Sequence, residues 1–178
     1  MNQINATVSG FRAASAAAGV KRAEMTSRDD MALIAADHPA VAAAVFTRNI
    51  VRAAPVLVAA DNISEGRCQA LLLNSGNANA CTGEEGIANA RRLCREVAIH
   101  LGISEKLVIP ASTGVIGAPL PVQRMLPIIP TLASRLHPDG FSSAAKAIMT
   151  TDTFPKLCVQ RGPVDNYEIT VLGDRKST

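Results

Sequence analysis

The stretch that most constrains this sequence is Asn74-Ser75-Gly76-Asn77-Ala78-Asn79-Ala80-Cys81-Thr82-Gly83, short and mostly polar residues caught between an aliphatic run and an amphipathic one. Its glycines and asparagines make it a poor helix interior. Its flanks make it a poor flexible spacer, since a strand ends on one side and a helix starts on the other. The context predicts an ordered loop at the end of a sheet strand, with its backbone amides in use.

Residues 68–73 supply the strand before it. After it, Ile87, Ala90, Leu93, Cys94, Val97, Ala98 and Leu101 recur at three- and four-residue steps, with Arg91, Arg92, Arg95 and Glu96 mostly between them. That period predicts a helix over residues 84–101, stopped by Gly102. Thr82 and Glu85 have capping-box spacing, and Glu84 and Glu85 place negative charge at the positive end of the helix dipole.

The same arrangement recurs downstream, where a strand over residues 104–109 opens onto Pro110-Ala111-Ser112-Thr113-Gly114-Val115-Ile116-Gly117. Helices are expected over residues 122–132 and 142–148, with a loop at 137–140. Upstream, residues 31–36 and 41–46 read as two strands joined by a tight turn at Asp37-His38-Pro39, and residues 55–60 as one helical turn. The first 30 residues suggest a short strand or arm. Strands at 157–159 and 167–172 flank a Gly162-Pro163 turn, and the polar tail 173–178 is expected to be disordered. With no repeat or linker, the 178 residues form one α/β domain.

Composition removes several function classes. Hydrophobic residues make up 48% of the chain and aromatics 3%, with no Trp and one Tyr, so the core is aliphatic and few rings remain for bases to stack on. The charge of +3 is scattered, with only Lys21-Arg22, Arg91-Arg92 and Arg175-Lys176 adjacent, so no phosphate-tracking stripe forms and nucleic acid is a poor partner. Cys68, Cys81, Cys94 and Cys158 make no C-x-x-C pair and the three histidines are far apart, which argues against a metal site or a disulfide framework. No apolar run is long enough for a membrane span or a leader, and the expected location is the cytoplasm.

Ligands of α/β proteins favour the loops at strand ends. In Ser112-Thr113-Gly114 a hydroxyl and adjacent amides suit an oxyanion developing on an acyl carbonyl; the alternative is a turn whose hydroxyls satisfy its own backbone. Asn74, Gly76, Asn77 and Asn79 suit either a polar wall supporting that site or an ordered connection whose asparagines cap turns. Thr150-Thr151-Asp152-Thr153 with Lys156 groups hydroxyls and opposite charges fit for an amino acid, or else a helix-ending turn with a surface lysine. Cys81, at a helix entrance, reads as a small buried residue rather than a nucleophile, because no histidine lies near it in sequence. Neither phosphate-loop pattern occurs.

Four blocks in order carry a resemblance: Val45-Phe46-Thr47-Arg48-Asn49 with Ala53-Ala54-Pro55-Val56, then Asn74 to Gly83, then Ala111-Ser112-Thr113-Gly114-Val115-Ile116-Gly117, then Ala147-Ile148-Met149-Thr150-Thr151-Asp152-Thr153 with Pro155-Lys156. From about Gly10 to Lys156 the chain resembles the N-terminal, α-chain part of the bifunctional ornithine acetyltransferase/N-acetylglutamate synthase family of arginine biosynthesis. The resemblance implies a layered sandwich of stacked sheets with outer helices. It implies acetyl transfer from N-acetylornithine to glutamate by a ping-pong route, with acetyl-CoA as a further donor in bifunctional members and no bound cofactor.

In that family a precursor cuts itself before a threonine, which becomes the nucleophile at the N-terminus of a β-chain, and the halves assemble as α2β2. Carried over, Thr113 and Gly114 look like the oxyanion hole. Thr151 or Thr153, with Lys156, looks like part of the amino-acid site, and Asn74, Gly76, Asn77 and Asn79 form the supporting loop. Past Leu157 the family's Lys-Gly-Ser-Gly-Met and Met-Ala-Thr patterns do not occur, so no nucleophile lies within these 178 residues. Thr178 is no substitute, because its α-nitrogen lies in a peptide bond and cannot serve as a base. The chain by itself is expected to be inactive. A catalytically dead remnant or binding subunit, and an aminopeptidase-like relative with the same self-cleaving design, are the rival readings.

Overall fold

The computed structural model describes residues 7–21 and 27–175. Its main sheet has the order β1 (Phe11–Ala16), β2 (Met31–Val41), β3 (Arg67–Asn74) and β4 (Val108–Ser112). The first two pairings are antiparallel and β3/β4 is parallel, with α2 (Gly83–Leu101) as the crossover between them. Parallel neighbours need such a crossover. In consequence β3 and β4 end side by side, with Asn74 opposite Ser112.

Alternation along the strands divides the core. Met31, Leu33, Ala70, Leu72 and Val108 face one side, where α1 (Ala54–Asn62), α2, α3 (Val122–Met125) and α4 (Ile129–Ser134) bring Val58, Leu93, Cys94, Val97, Met125, Ile129 and Leu132 into one buried cluster. Ala13, Ala32, Ile34 and Leu73 face the other, covered by α5 (Phe141–Ala147) and the hairpin of β5 (Leu157–Val164) and β6 (Tyr167–Asp174). The α/β layering therefore holds, with helices outside and a second, smaller sheet stacked on one face.

Several local expectations are corrected. Residues 31–41 form one strand, because the Asp37-His38-Pro39 interruption is absorbed by a register shift between Ala35 and Ala40, and residues 42–49 are irregular. Proline is tolerated at such a bulge, where no ladder donor is needed. The helical turn at 55–60 extends to nine residues. The strand expected from residue 104 starts at Val108, after a 3-10 turn at Glu105–Leu107, and the helix over 122–132 is broken by a 3-10 turn at Leu126–Ile128 that contains Pro127.

The hairpin turns at Asp165 (φ 51°), not at Gly162-Pro163, which lie within β5. Gly173 and Asp174 belong to β6, and residues 176–178 of the expected tail lie outside the described residues. Helix α2 matches its expected span and ends at a left-handed Gly102. Its start differs: the Thr82 hydroxyl makes no capping bond and instead donates to Asn79 Oδ1 at 2.8 Å.

Candidate functional site

The two strand-end loops continue to pair after their strands stop. Thr113 N–H donates to the Asn74 carbonyl at 3.0 Å, Val115 N–H to Gly76 at 3.3 Å, Ala78 N–H to Val115 at 2.9 Å and Gly117 N–H to Ala80 at 2.9 Å. Glycine is required at this junction. Gly114 has φ 137°, and a Cβ there would lie 2.3 Å from the Gly76 carbonyl carbon; one on Gly76 (φ 93°) would lie 2.9 Å from Lys21 Cβ. Three chain segments are thus stacked backbone to backbone.

Buried asparagines hold the assembly. Asn74 Nδ2 donates to the Asn77 carbonyl at 2.8 Å, and its Oδ1 accepts the Ser112 hydroxyl at 2.7 Å. Asn77 Nδ2 donates to the Ala118 and Pro119 carbonyls at 3.1 Å each, while its Oδ1 accepts Asn79 N–H at 2.7 Å. Asn79, fully buried with φ 47°, donates through Nδ2 to the Gly86 carbonyl at 2.9 Å, tying the loop to α2. Each amide supplies both a donor and an acceptor, which is how a buried polar loop is satisfied.

Around this junction opens a cleft of about 410 Å³, lined by Ser75, Gly76, Thr113, Gly114, Val115, Met149, Thr150 and Thr151 together with Lys21, Arg28, Asp29 and Asp30. The third loop is anchored to it: Ser75 Oγ donates to the Ala147 carbonyl at 2.7 Å, and Arg28 Nη2 to the Met149 and Lys146 carbonyls at 2.9 and 3.1 Å. The expected pair Thr113–Gly114 and Thr151 therefore share one cavity, and Gly76 lines it as well. Asn74, Asn77 and Asn79 stand behind it. Thr153 and Lys156 do not line it; Lys156 Nζ pairs with the Asp152 carboxylate and lies 5.8 Å from the Phe154 ring centre.

Thr113 N–H is engaged by the Asn74 carbonyl, and Thr113 and Gly114 both line the cleft beside that bond. The sequence reading missed Lys21, Arg28, Asp29 and Asp30, since a charged stretch between short elements carries no local signal of what it packs against. Cys81 is exposed, with φ 57°, and not the buried residue expected; the left-handed turn into α2 rotates it outward. Cys94 on the inner face of α2 is the buried one, and burial pushes its thiol up to about 12. No group of three metal-ligating side chains occurs among the described residues, and none of their helices is long and apolar enough to cross a membrane.

Fold and site together define an α/β chain with a cleft where two parallel strands end, walled by hydroxyls and glycine backbone. The chain belongs to the ArgJ family, whose model matches residues 12–177. It is 46% identical over 169 residues to the arginine biosynthesis bifunctional protein ArgJ of Geobacter sulfurreducens, and 45% identical over 169 residues to that of Caldanaerobacter subterraneus. Each match takes in 95% of this chain but only 42% and 41% of the relative, so the chain spans about two-fifths of the length of these curated relatives.

Two crystal structures superpose closely. The ArgJ protein of Bacillus halodurans matches with TM-score 0.87 at 37% identity, over 96% of this chain and 88% of that one. The ornithine acetyltransferase of Mycobacterium tuberculosis, complexed with ornithine, matches with TM-score 0.88 at 37% identity, over 98% and 94%.

Proposed function

We propose that these residues form the acyl-binding half of a glutamate N-acetyltransferase, which moves an acetyl group from N-acetylornithine to glutamate in arginine biosynthesis. The observation that carries this reading is the meeting of Thr113, Gly114 and Thr151 on one cleft at the ends of β3 and β4. The names of the relatives support it.

In the proposed reaction a threonine hydroxyl at the N-terminus of a β-chain attacks the acetyl carbonyl, and its proton passes to that threonine's own α-amine. The Thr113 hydroxyl and Gly114 amide stabilise the oxyanion, donors that matter most when held before the charge develops. Collapse of the tetrahedral intermediate breaks the bond to the ornithine nitrogen, which leaves with the proton. Glutamate's amine then attacks the acetyl-threonine and returns the hydroxyl. Thr151 is the threonine best placed for the amino-acid substrate, with Thr153 and Lys156 flanking it, and Asn74, Gly76, Asn77 and Asn79 keep the oxyanion loop in position. The partner is a β-chain in an α2β2 assembly, and acetyl-CoA is a further donor if the enzyme is bifunctional.

The 178 residues alone are expected to release no ornithine from N-acetylornithine and glutamate. Folded with the downstream part of the Geobacter sulfurreducens relative, they should do so, and Thr113→Ala should lower kcat about 10²-fold, the usual loss for one oxyanion donor. Multiple turnovers by the chain alone would refute the need for a second part. An unchanged kcat in the Thr113→Ala enzyme would refute the oxyanion assignment.

A further inference from the structure

We propose that Asp30 is a positioning residue for the oxyanion loop, holding Lys21 and Ser75 so that Gly76 and Gly114 meet at one fixed separation. This rests on the acyl-transfer reading above and adds to it a residue outside the loops that form the cleft's strand-end wall.

Asp30 is 9% exposed. Its Oδ1 accepts Ala18 N–H at 2.7 Å and its Oδ2 accepts Val20 N–H at 2.6 Å. Its own N–H donates to the Ala16 carbonyl at 3.1 Å, and its carbonyl accepts Ser75 N–H at 2.9 Å. One residue therefore ties the end of β1, the turn that delivers Lys21, and the first loop residue after β3. Arg124 reaches the same turn, its Nη2 donating to the Val20 carbonyl at 3.5 Å.

From there the contacts run without a gap. Lys21 lies against Gly76 so closely that a Gly76 Cβ would sit 2.9 Å from Lys21 N and Cβ. The Gly76 carbonyl accepts Val115 N–H at 3.3 Å, and Gly76 packs on Gly114, where a Cβ would come within 2.5 Å of Asn77 N. A displacement at Lys21 or Ser75 has no side chain in between to absorb it.

The chemistry of the carboxylate is specific. Its two oxygens take two N–H donors, whereas an asparagine presents one oxygen and one NH2 group, and the latter would face a backbone N–H donor to donor. Asp30→Asn breaks one bond and opens the turn. Oxyanion donors act only when held within a few tenths of an ångström of their working position, so the loss falls on the reacting step and not on substrate capture.

Two measurements test this. By NMR on the 178-residue chain, Asp30→Asn shifts the amide resonances of Ser75, Gly76, Gly114 and Val115, whereas Arg12→Ala, whose Asp37 partner lies on the far edge of the same strands, leaves them in place. Asp30→Glu keeps both acceptor oxygens and brings those resonances back toward wild type; if Asp30→Asn fails to fold, Asp30→Ser, which keeps a single acceptor oxygen, must still move the Gly114 amide. Shifts confined to residues 16–21 and 30 overturn the proposal.

In the chain paired with the downstream part of the Geobacter relative, Asp30→Asn lowers kcat about tenfold with KM within about twofold. Combined with Thr113→Ala it costs little beyond Thr113→Ala alone, because coupled sites do not add; a full multiplicative loss of about 10³-fold means that Asp30 acts independently of the Thr113 donor and overturns the proposal, and an Asp30→Asn kcat equal to wild type means that Asp30 acts only on stability. If the paired wild-type enzyme transfers no acetyl group, the acyl-transfer reading fails and the amide shifts alone decide the role of Asp30.

Discussion

The two faces of the main sheet are finished differently. On one, four helices close over Leu33, Leu72 and Val108, and the cluster includes Met31, Val97, Met125, Ile129 and Leu132 at full burial. On the other, α5 and the hairpin leave Ile34, Leu71 and Leu73 half-buried beside a crevice of about 250 Å³, and the hairpin carries Tyr167, Ile169 and Val171 at 75%, 41% and 57% exposure. The first face is a core completed by this chain. The second holds its own elements in place but leaves apolar surface uncovered.

Adjacent leucines on β3 measure that difference most directly, since Leu72 is buried on the closed face and Leu71 half-buried on the open one. Leu72→Ala is expected to cost about 3 kcal/mol, combining lost transfer energy with a cavity. Leu71→Ala should cost about 1 kcal/mol, for less area removed from a site already in contact with solvent. Urea unfolding of the two variants reads both values, and equal losses would mean that the faces are packed alike.

The hairpin predicts the next effect. Tyr167, Ile169 and Val171 alternate along β6 and so share one face, and an exposed apolar stripe on a two-stranded sheet invites association. The chain is expected to self-associate at rising concentration, seen by sedimentation, and Ile169→Lys with Val171→Lys should shift it toward monomer with stability unchanged within about 0.5 kcal/mol. A wild-type chain that stays monomeric, with a sharp unfolding transition independent of concentration, would make the open face self-sufficient.

What the sequence made legible follows the same division. Helix α2 is readable because one apolar stripe and one left-handed glycine carry all the information locally. The strand-end loops are readable as well, since glycine and asparagine runs between buried elements have few uses. Strand β2 is misread because Asp37-His38-Pro39 looks like a turn, and only its neighbours β1 and β3 carry it through the interruption. The roles of Lys21, Arg28 and Asp30 are invisible for a related reason: they reach the cleft through contacts with Gly76, Met149 and Ser75, and nothing in residues 21–30 records those partners.

Two cysteines extend the contrast to chemistry. Cys158 is exposed on the hairpin, while Cys94 is fully buried on the closed face, where desolvation raises its thiol from the ordinary 9.0 to about 12. A thiol reagent at mildly alkaline pH should label Cys158 and leave Cys94 untouched until the chain unfolds. Because the folded state favours the neutral thiol, the stability from this group is complete below the unfolded value of 9.0 and is lost as pH rises toward about 12. Wild type should therefore lose stability more steeply than Cys94→Ala over that alkaline window, and matching slopes would show that Cys94 stays accessible.

The smallest expected effect lies at the rim of the closed face, where Asp61 at the end of α1 joins three elements. Its Oδ2 accepts Lys106 Nζ at 2.9 Å, from the 3-10 turn before β4, and Arg91 Nη2 at 3.0 Å, from α2. The Lys106 hydrogen bond, then that of Arg91, holds the carboxyl below its ordinary 3.8. A lowered carboxylate stabilises the fold above its unfolded pKa and ceases to do so as pH falls through the folded value. Asp61→Asn should therefore lower the urea midpoint slightly at neutral pH, and the difference from wild type should shrink once pH drops below 3.8. Salt should shrink it too, because pairs this exposed are screened. A difference that survives both acid and salt would assign Asp61 a packing role instead of an electrostatic one, and would mean that the closed face is sealed to its rim by contacts alone.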